Sequence, residues 1–181
     1  MTYPVSVTAA QTSRRARWPM LLAGLLLAAC SRTTAPLQAL EPDDQAACAL
    51  DGMLLRDFPG AKAQVRYADN QTEYFCDVME LLGAMLAPEQ RRAVSGYYVQ
   101  DMGKADWQHP RGNWIAARDA VYVVGSSAQG SMGPTIVPFA QQADAEALVQ
   151  KAGGKVLRFE QITTAMLNRS SDSMHDNGMG H

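Results

Sequence analysis

Three cysteines in 181 residues are too few to brace a fold with a network of disulfides. Surplus positive charge is missing as well, since 16 Lys and Arg stand against 18 Asp and Glu. A nucleic-acid-binding domain needs that surplus to neutralise phosphates, so nucleic acid is excluded as a partner. Histidine is scarce, and of the three present only His109 precedes the C-terminal tail. A His-dependent triad or a His-rich zinc centre is hard to build from one imidazole. G-x-S-x-G, the P-loop, H-E-x-x-H and paired C-x-x-C are all absent. Nothing in the chain argues for an enzyme. With 47% hydrophobic and 19% charged residues, there is material for one folded domain.

A long apolar run is lacking too. Trp18 to Ala29 follows Arg14, Arg15 and Arg17, and this stretch is too short to span a bilayer. A positive n-region before a short Leu/Ala segment is the pattern of a signal peptide, here residues 1–29. It ends Leu27-Ala28-Ala29-Cys30, a lipobox, so Cys30 is the expected site of lipid attachment and the mature N-terminus. Ser31 follows the cysteine where Asp could stand, which resembles an outer-membrane sorting signal. The expected product is a periplasm-facing lipoprotein of the outer membrane, with 13 basic against 18 acidic residues once three arginines are removed. Residues 30–44, with Pro36 and Pro42, read as a tether to the membrane.

From residue 45 the patterning predicts an α+β fold of two tandem ββαβ units, about 45–106 and 107–168. In the first, Ala63–Tyr67 and Thr72–Phe75 read as a hairpin around the turn residues Ala68-Asp69-Asn70-Gln71. Val78, Leu81, Leu82 and Met85 recur at helical spacing over Asp77–Leu86, and Gly96–Val99 is a third strand. The second half repeats the order: strands Ala120–Val124 and Thr135–Phe139, a helix Asp144–Ala152 stopped by Gly153-Gly154, and a strand Val156–Phe159. Phe75 and Phe139 hold equivalent places just before each helix. Thr163–Asn168 reads as a last short helix, and 169–181 as a disordered Met/His tail.

Ten methionines are the unusual surplus. Cys48-Ala49-Leu50-Asp51-Gly52-Met53 places a thiol and a thioether on a loop that Gly52 lets turn, a donor pair suited to Cu(I). The competing reading makes Met53 and Leu54 the start of the core and Cys48 incidental. Met132, between Ser131 and Gly133-Pro134, has no regular element to pack with, although Met also fills irregular gaps. Cys76 is either a further metal ligand or, outside the cytoplasm, the partner of Cys48 in a disulfide. In the tail, Met174, His175, Met179 and His181 supply thioether and imidazole donors for copper. His109 reads as a loop residue.

These residues resemble the NosL family, the lipoprotein copper chaperones of nitrous oxide reductase assembly. The resemblance is carried by the lipobox, Gly52-Met53, Pro59-Gly60-Ala61-Lys62-Ala63-Gln64, Phe75-Cys76, Trp114-Ile115-Ala116, Gly125-Ser126, Met132-Gly133-Pro134 and Pro138-Phe139. It implies a duplicated ββαβ fold, similar to part of organomercurial lyase. It also implies Cu(I) binding and delivery to the copper centres of nitrous oxide reductase, with a membrane ABC-type transporter as further partner. Met53 and Met132 match the family's ligand-bearing motifs. Asp51 stands where members often have a cysteine, so either Asp51 itself or Cys48 is expected to take that cysteine's place. Two other classes stay open: a scaffolding outer-membrane lipoprotein with a Cys48–Cys76 disulfide and no metal, and an enzyme distantly like organomercurial lyase.

Overall fold

The computed structural model describes residues 36–168, apart from 88, 90 and 91. Strands β1 (Ala63–Tyr67) and β2 (Thr72–Phe75) form the expected hairpin. Its turn is closed by Asp69 Oδ1, which accepts from Gln71 N at 3.0 Å, and by Asn70 at φ 67°, a left-handed position that Asn tolerates. Helix α1 (Val78–Leu86) follows, then β3 (Val94–Gln100) and a short β4 (Trp114–Ala116). The second half runs β5 (Val121–Val124), β6 (Gln129–Gly130), β7 (Gly133–Pro134), β8 (Val137–Phe139), α2 (Gln142–Ala152) and β9 (Lys155–Arg158). A last helical turn covers 164–168.

The sheets are antiparallel, in the orders β2-β1-β3-β4 and β8-β5-β9. In each half the first strand is central, flanked by its hairpin partner and by the strand after the helix. The registers agree too. Ala63, first in β1, faces Phe75, last in β2, and Val121, first in β5, faces Phe139, last in β8. The repeat is therefore visible in pairing as well as in order.

Alternation sorts the strands' side chains between faces. Ala63, Val65 and Tyr67 of β1 pack with Val78, Leu81 and Leu82 of α1, and the same core takes Tyr122 and Val124 of β5. Val121 and Val123 point the other way, into a cluster with Val137, Phe139 and Ala145 that is covered by α2. Pooling the two halves into one core lets each sheet bury a face that it could not cover alone.

Three features differ from the sequence expectation. β4 has no counterpart in the expected strand order, and at three residues it is too short for alternation to register. It extends the first sheet although it lies within the second repeat's range. The strand expected from Thr135 begins at Val137, and Thr135 and Ile136 belong to a long loop holding the miniature β6–β7 hairpin. Lastly, the described part of the tether, 36–44, lies against the first sheet. Leu40 N donates to Gln64 Oε1 and Gln64 Nε2 to Leu40 O, each at 2.8 Å, while the Tyr98 hydroxyl donates to Leu37 O at 2.6 Å. Glu41 accepts from Trp114 Nε1 at 2.8 Å. Gln64 is wholly buried, so its amide needs those partners, and the segment supplies them.

Candidate metal centre

The loop before β1 folds on itself because its backbone bonds are made locally. Cys48 N donates to Met53 O at 2.8 Å, and Gly52 N returns to Cys48 O at 3.0 Å. Gly52 sits at φ 74°, which is why a glycine is needed there, and Asp51 Oδ1 accepts from Met53 N at 2.9 Å. Ala49 N donates to Tyr74 O, fastening the loop beside the end of β2.

Cys76 lies where β2 gives way to α1. Asp77 caps the helix, its Oδ1 accepting from Met79 N at 2.9 Å, and Glu80 reaches back to Asp77 N at 3.3 Å in a capping box. That reach brings Glu80 to the thiols. Its Oε2 accepts from Cys48 Sγ at 3.3 Å and from Cys76 Sγ at 3.6 Å, and Cys76 Sγ stands 3.9 Å from Asp51 Oδ2. The four ligand atoms of Cys48, Asp51, Cys76 and Glu80 all lie within 4.8 Å of one another. Met53, predicted as a ligand, packs against the small cluster formed by Cys48, Leu55 and Cys76.

The thiols are buried and Asp51 is exposed, so the cluster has a soft floor and a carboxylate rim. Burial raises the pKa of Cys48, with smaller opposing effects from backbone bonds. It raises that of Cys76 strongly, and the nearby Glu80 carboxylate adds to this. Both are thiols at neutral pH and must lose a proton to bind a soft metal.

Met132 is 44% exposed, at the tip of the β6–β7 hairpin. The hairpin is tied to the helix start: the Ser131 hydroxyl donates to Cys76 O, and the Thr135 hydroxyl donates to Asp77 Oδ1 at 2.9 Å. A Cβ on Gly130 would stand 2.5 Å from Asp77 Oδ2, so only glycine permits this approach. The second half thus docks the loop that carries Met132 onto the start of α1, beside the backbone of Cys76.

The disulfide of the scaffolding alternative is not formed; Cys48 and Cys76 are both free, and their sulfurs share the Glu80 carboxylate. His109 is exposed, with Nδ1 3.8 Å from Asp106. Cys30, His175, Met179 and His181 lie outside the described residues. Glu80 is the ligand-class residue that the sequence reading missed. Its signal was Asp77-x-x-Glu80 ahead of an apolar helix, a capping box that returns the glutamate to the residue before the helix.

The NosL sequence model matches residues 39–167. A protein of Stutzerimonas stutzeri named copper-binding lipoprotein NosL is 41% identical over 162 residues, covering 86% of this chain and 85% of that protein. One of Achromobacter cycloclastes with the same name is 39% identical over 162 residues, covering 84% and 83%. The crystal structure of the copper chaperone NosL from Shewanella denitrificans superposes with a TM-score of 0.67 at 39% identity, over 72% of this chain and 98% of that one. With the motifs in order and the fold shared, the chain belongs to the NosL family.

Proposed function

We propose that this protein is a membrane-anchored Cu(I) chaperone that holds its cargo between Cys48 and Cys76 and hands it on at the rim where Asp51 and Met132 are exposed. The observation that carries the reading is the convergence of two buried, free thiols beside Met53. Thiolate and thioether donors select a soft monovalent ion over hard cations, which prefer oxygen. The relatives named copper-binding lipoproteins and a copper chaperone support the same reading.

Transfer follows from the unequal exposure of the ligands. The thiolates form the inner wall, whereas Asp51 is a harder and weaker donor in contact with solvent. An incoming soft ligand displaces Asp51 first, and the ion passes by exchange without ever being free. The partners we assign, nitrous oxide reductase and its membrane ABC-type maturation complex, rest on the family resemblance. So does attachment through a lipid at Cys30 facing the periplasm. The donors of His175, Met179 and His181 would serve as a capture arm.

Anaerobic Cu(I) titration of the chain from Ser31 against a competing chelator tests the site. One-to-one binding is expected, weakened about a hundredfold or more in Cys48→Ser or Cys76→Ser and less in Met53→Ala or Met132→Ala. Deleting 169–181 should leave the folded site intact. Failure to compete with the chelator, or binding that disappears with the tail alone, would overturn it. Transfer from the loaded protein to copper-free nitrous oxide reductase tests the recipient.

A further inference from the structure

Lys62 is buried to 2% relative exposure at the entry to β1, an unusual place for an ammonium. Its Nζ donates to Pro59 O at 2.9 Å and to Cys76 O at 3.3 Å. Those partners are neutral carbonyls, and among the described residues no carboxylate reaches it within ion-pair distance. A buried charge without a counter-charge is costly. The acidic groups nearest to it in electrostatic effect are Cys76, Asp77, Glu80 and Cys48, three of them members of the thiol–carboxylate cluster.

The loop is shaped to keep this lysine in place. Gly60 adopts φ 79°, and a Cβ there would lie 3.0 Å from Gly130 Cα on the Met132 loop. Gly60 N is held by Trp107 O at 2.8 Å. This turn aims Pro59 O at Nζ, while Cys76 O receives both Lys62 Nζ and the Ser131 hydroxyl. The ammonium is therefore fixed to the backbone of one thiol-bearing residue.

Charge counting then gives it a task. One Cu(I) bound by two thiolates is an anion, because two negative charges meet one positive charge. Among the described residues, Lys62 is the cation whose hydrogen bond reaches Cys76. We infer that Lys62 is the built-in counter-ion of the copper-loaded site, its ammonium offsetting the net negative charge of Cu(I) bis-thiolate at Cys48 and Cys76. This rests on the copper reading above. In the empty protein the carboxylates of Asp77 and Glu80 act on the lysine, but neither stands within ion-pair distance of it. Loading adds an anion at the residue whose backbone holds the ammonium, so the lysine favours the filled state.

The test is the Cu(I) competition titration on the mature chain with Lys62→Gln, Asp77→Asn and the double variant. Asn keeps a side-chain oxygen for the helix cap, so Asp77→Asn removes charge with little change of shape. Lys62→Gln should weaken Cu(I) binding by at least about tenfold, and Asp77→Asn should tighten it. The double variant should recover toward the wild type, since it restores net charge but neither of the lysine's hydrogen bonds. A purely structural lysine predicts the opposite: a double variant as weak as Lys62→Gln or weaker. That result, or unchanged affinity in Lys62→Gln, overturns the inference. If Lys62→Gln does not fold, Asp77→Asn alone decides, and unchanged affinity there overturns it. A wild type that binds no Cu(I) removes the copper reading itself, which is visible before any variant is compared.

Discussion

The two halves share a topology and a register, yet the clustered thiols and carboxylates belong to the first alone among the described residues. Where the first has Phe75-Cys76-Asp77 leading into α1, the second has Phe139-Ala140-Gln141 leading into α2. Asp77 caps its helix and forms a capping box with Glu80, whereas Gln141 makes no side-chain cap. Ahead of the central strand the first half has Lys62 and the second Ala120, both buried. Cys76 and Lys62 thus have chemically silent counterparts in Ala140 and Ala120, whereas Glu80 is matched by another carboxylate, Asp144. The second half contributes differently, through the long loop whose Ser131 and Thr135 bond to Cys76 and Asp77. Duplication supplies two equivalent helix starts, and the structure needs only one of them to be reactive.

The largest effect expected from breaking this contrast is on pH dependence. Burial holds the Cys48 and Cys76 thiols above the ordinary thiol range, so both are protonated from pH 6 to 8. On the proposed Cu(I) reading each thiolate formed on binding releases one proton, so affinity is expected to rise with pH. With both as ligands the apparent constant climbs about a hundredfold per pH unit, roughly ten-thousandfold over the interval. Cys76→Ala, which gives the first half the second half's residue, should lower that slope to about tenfold per unit. Chelator competition at several pH values reads it, and a flat wild-type profile would remove the thiols from the ligand set.

Helix packing provides the next contrast. Val78, Leu81 and Leu82 of α1 are buried, while Ala145 is the buried residue of α2. Leu81→Ala empties a site that is wholly enclosed and should cost about 3 kcal/mol of unfolding free energy. Leu148→Ala, on a partly covered face, should cost about 1 kcal/mol. Urea denaturation of the two variants measures the difference, and equal losses would mean that α2 is as deeply packed as α1.

Much of this fold was legible because it is local. β1 and β2 fall where alternation and the Asp69-Asn70 turn place them, and α1 falls where Val78, Leu81, Leu82 and Met85 share a face. The docking of 36–44 was not legible, because Leu40 and Gln64 meet across 24 residues and no periodic pattern announces a single amide pair. At the site, Cys48, Met53 and Cys76 were named by donor chemistry, and the structure brings those three together. Glu80 was hidden because its nearness to the thiols depends on a side chain folding back over the helix start. Lys62 stood inside a quoted motif, but burial is what makes a lysine informative, and burial is a tertiary property.

The smallest effect concerns the caps. Asp77→Ala removes the acceptor of Met79 N and also leaves the Thr135 hydroxyl without its carboxylate partner. Losing an N-cap alone costs about 1 kcal/mol, and the buried hydroxyl should raise the loss to about 2 kcal/mol. Burial pushes the Asp77 pKa up to about 6, so the folded state retains its proton more readily than the unfolded chain does. Its carboxylate therefore favours unfolding as pH rises from about 4 to about 6, and that pH dependence should disappear in Asp77→Ala. Gln141→Ala removes no side-chain cap and should leave stability within about 0.5 kcal/mol of the wild type. Thermal melts of both variants at pH 5 and 7 decide it. Losses of similar size would show that the two helix starts are held alike, and the asymmetry would then rest on the proposed ligands alone.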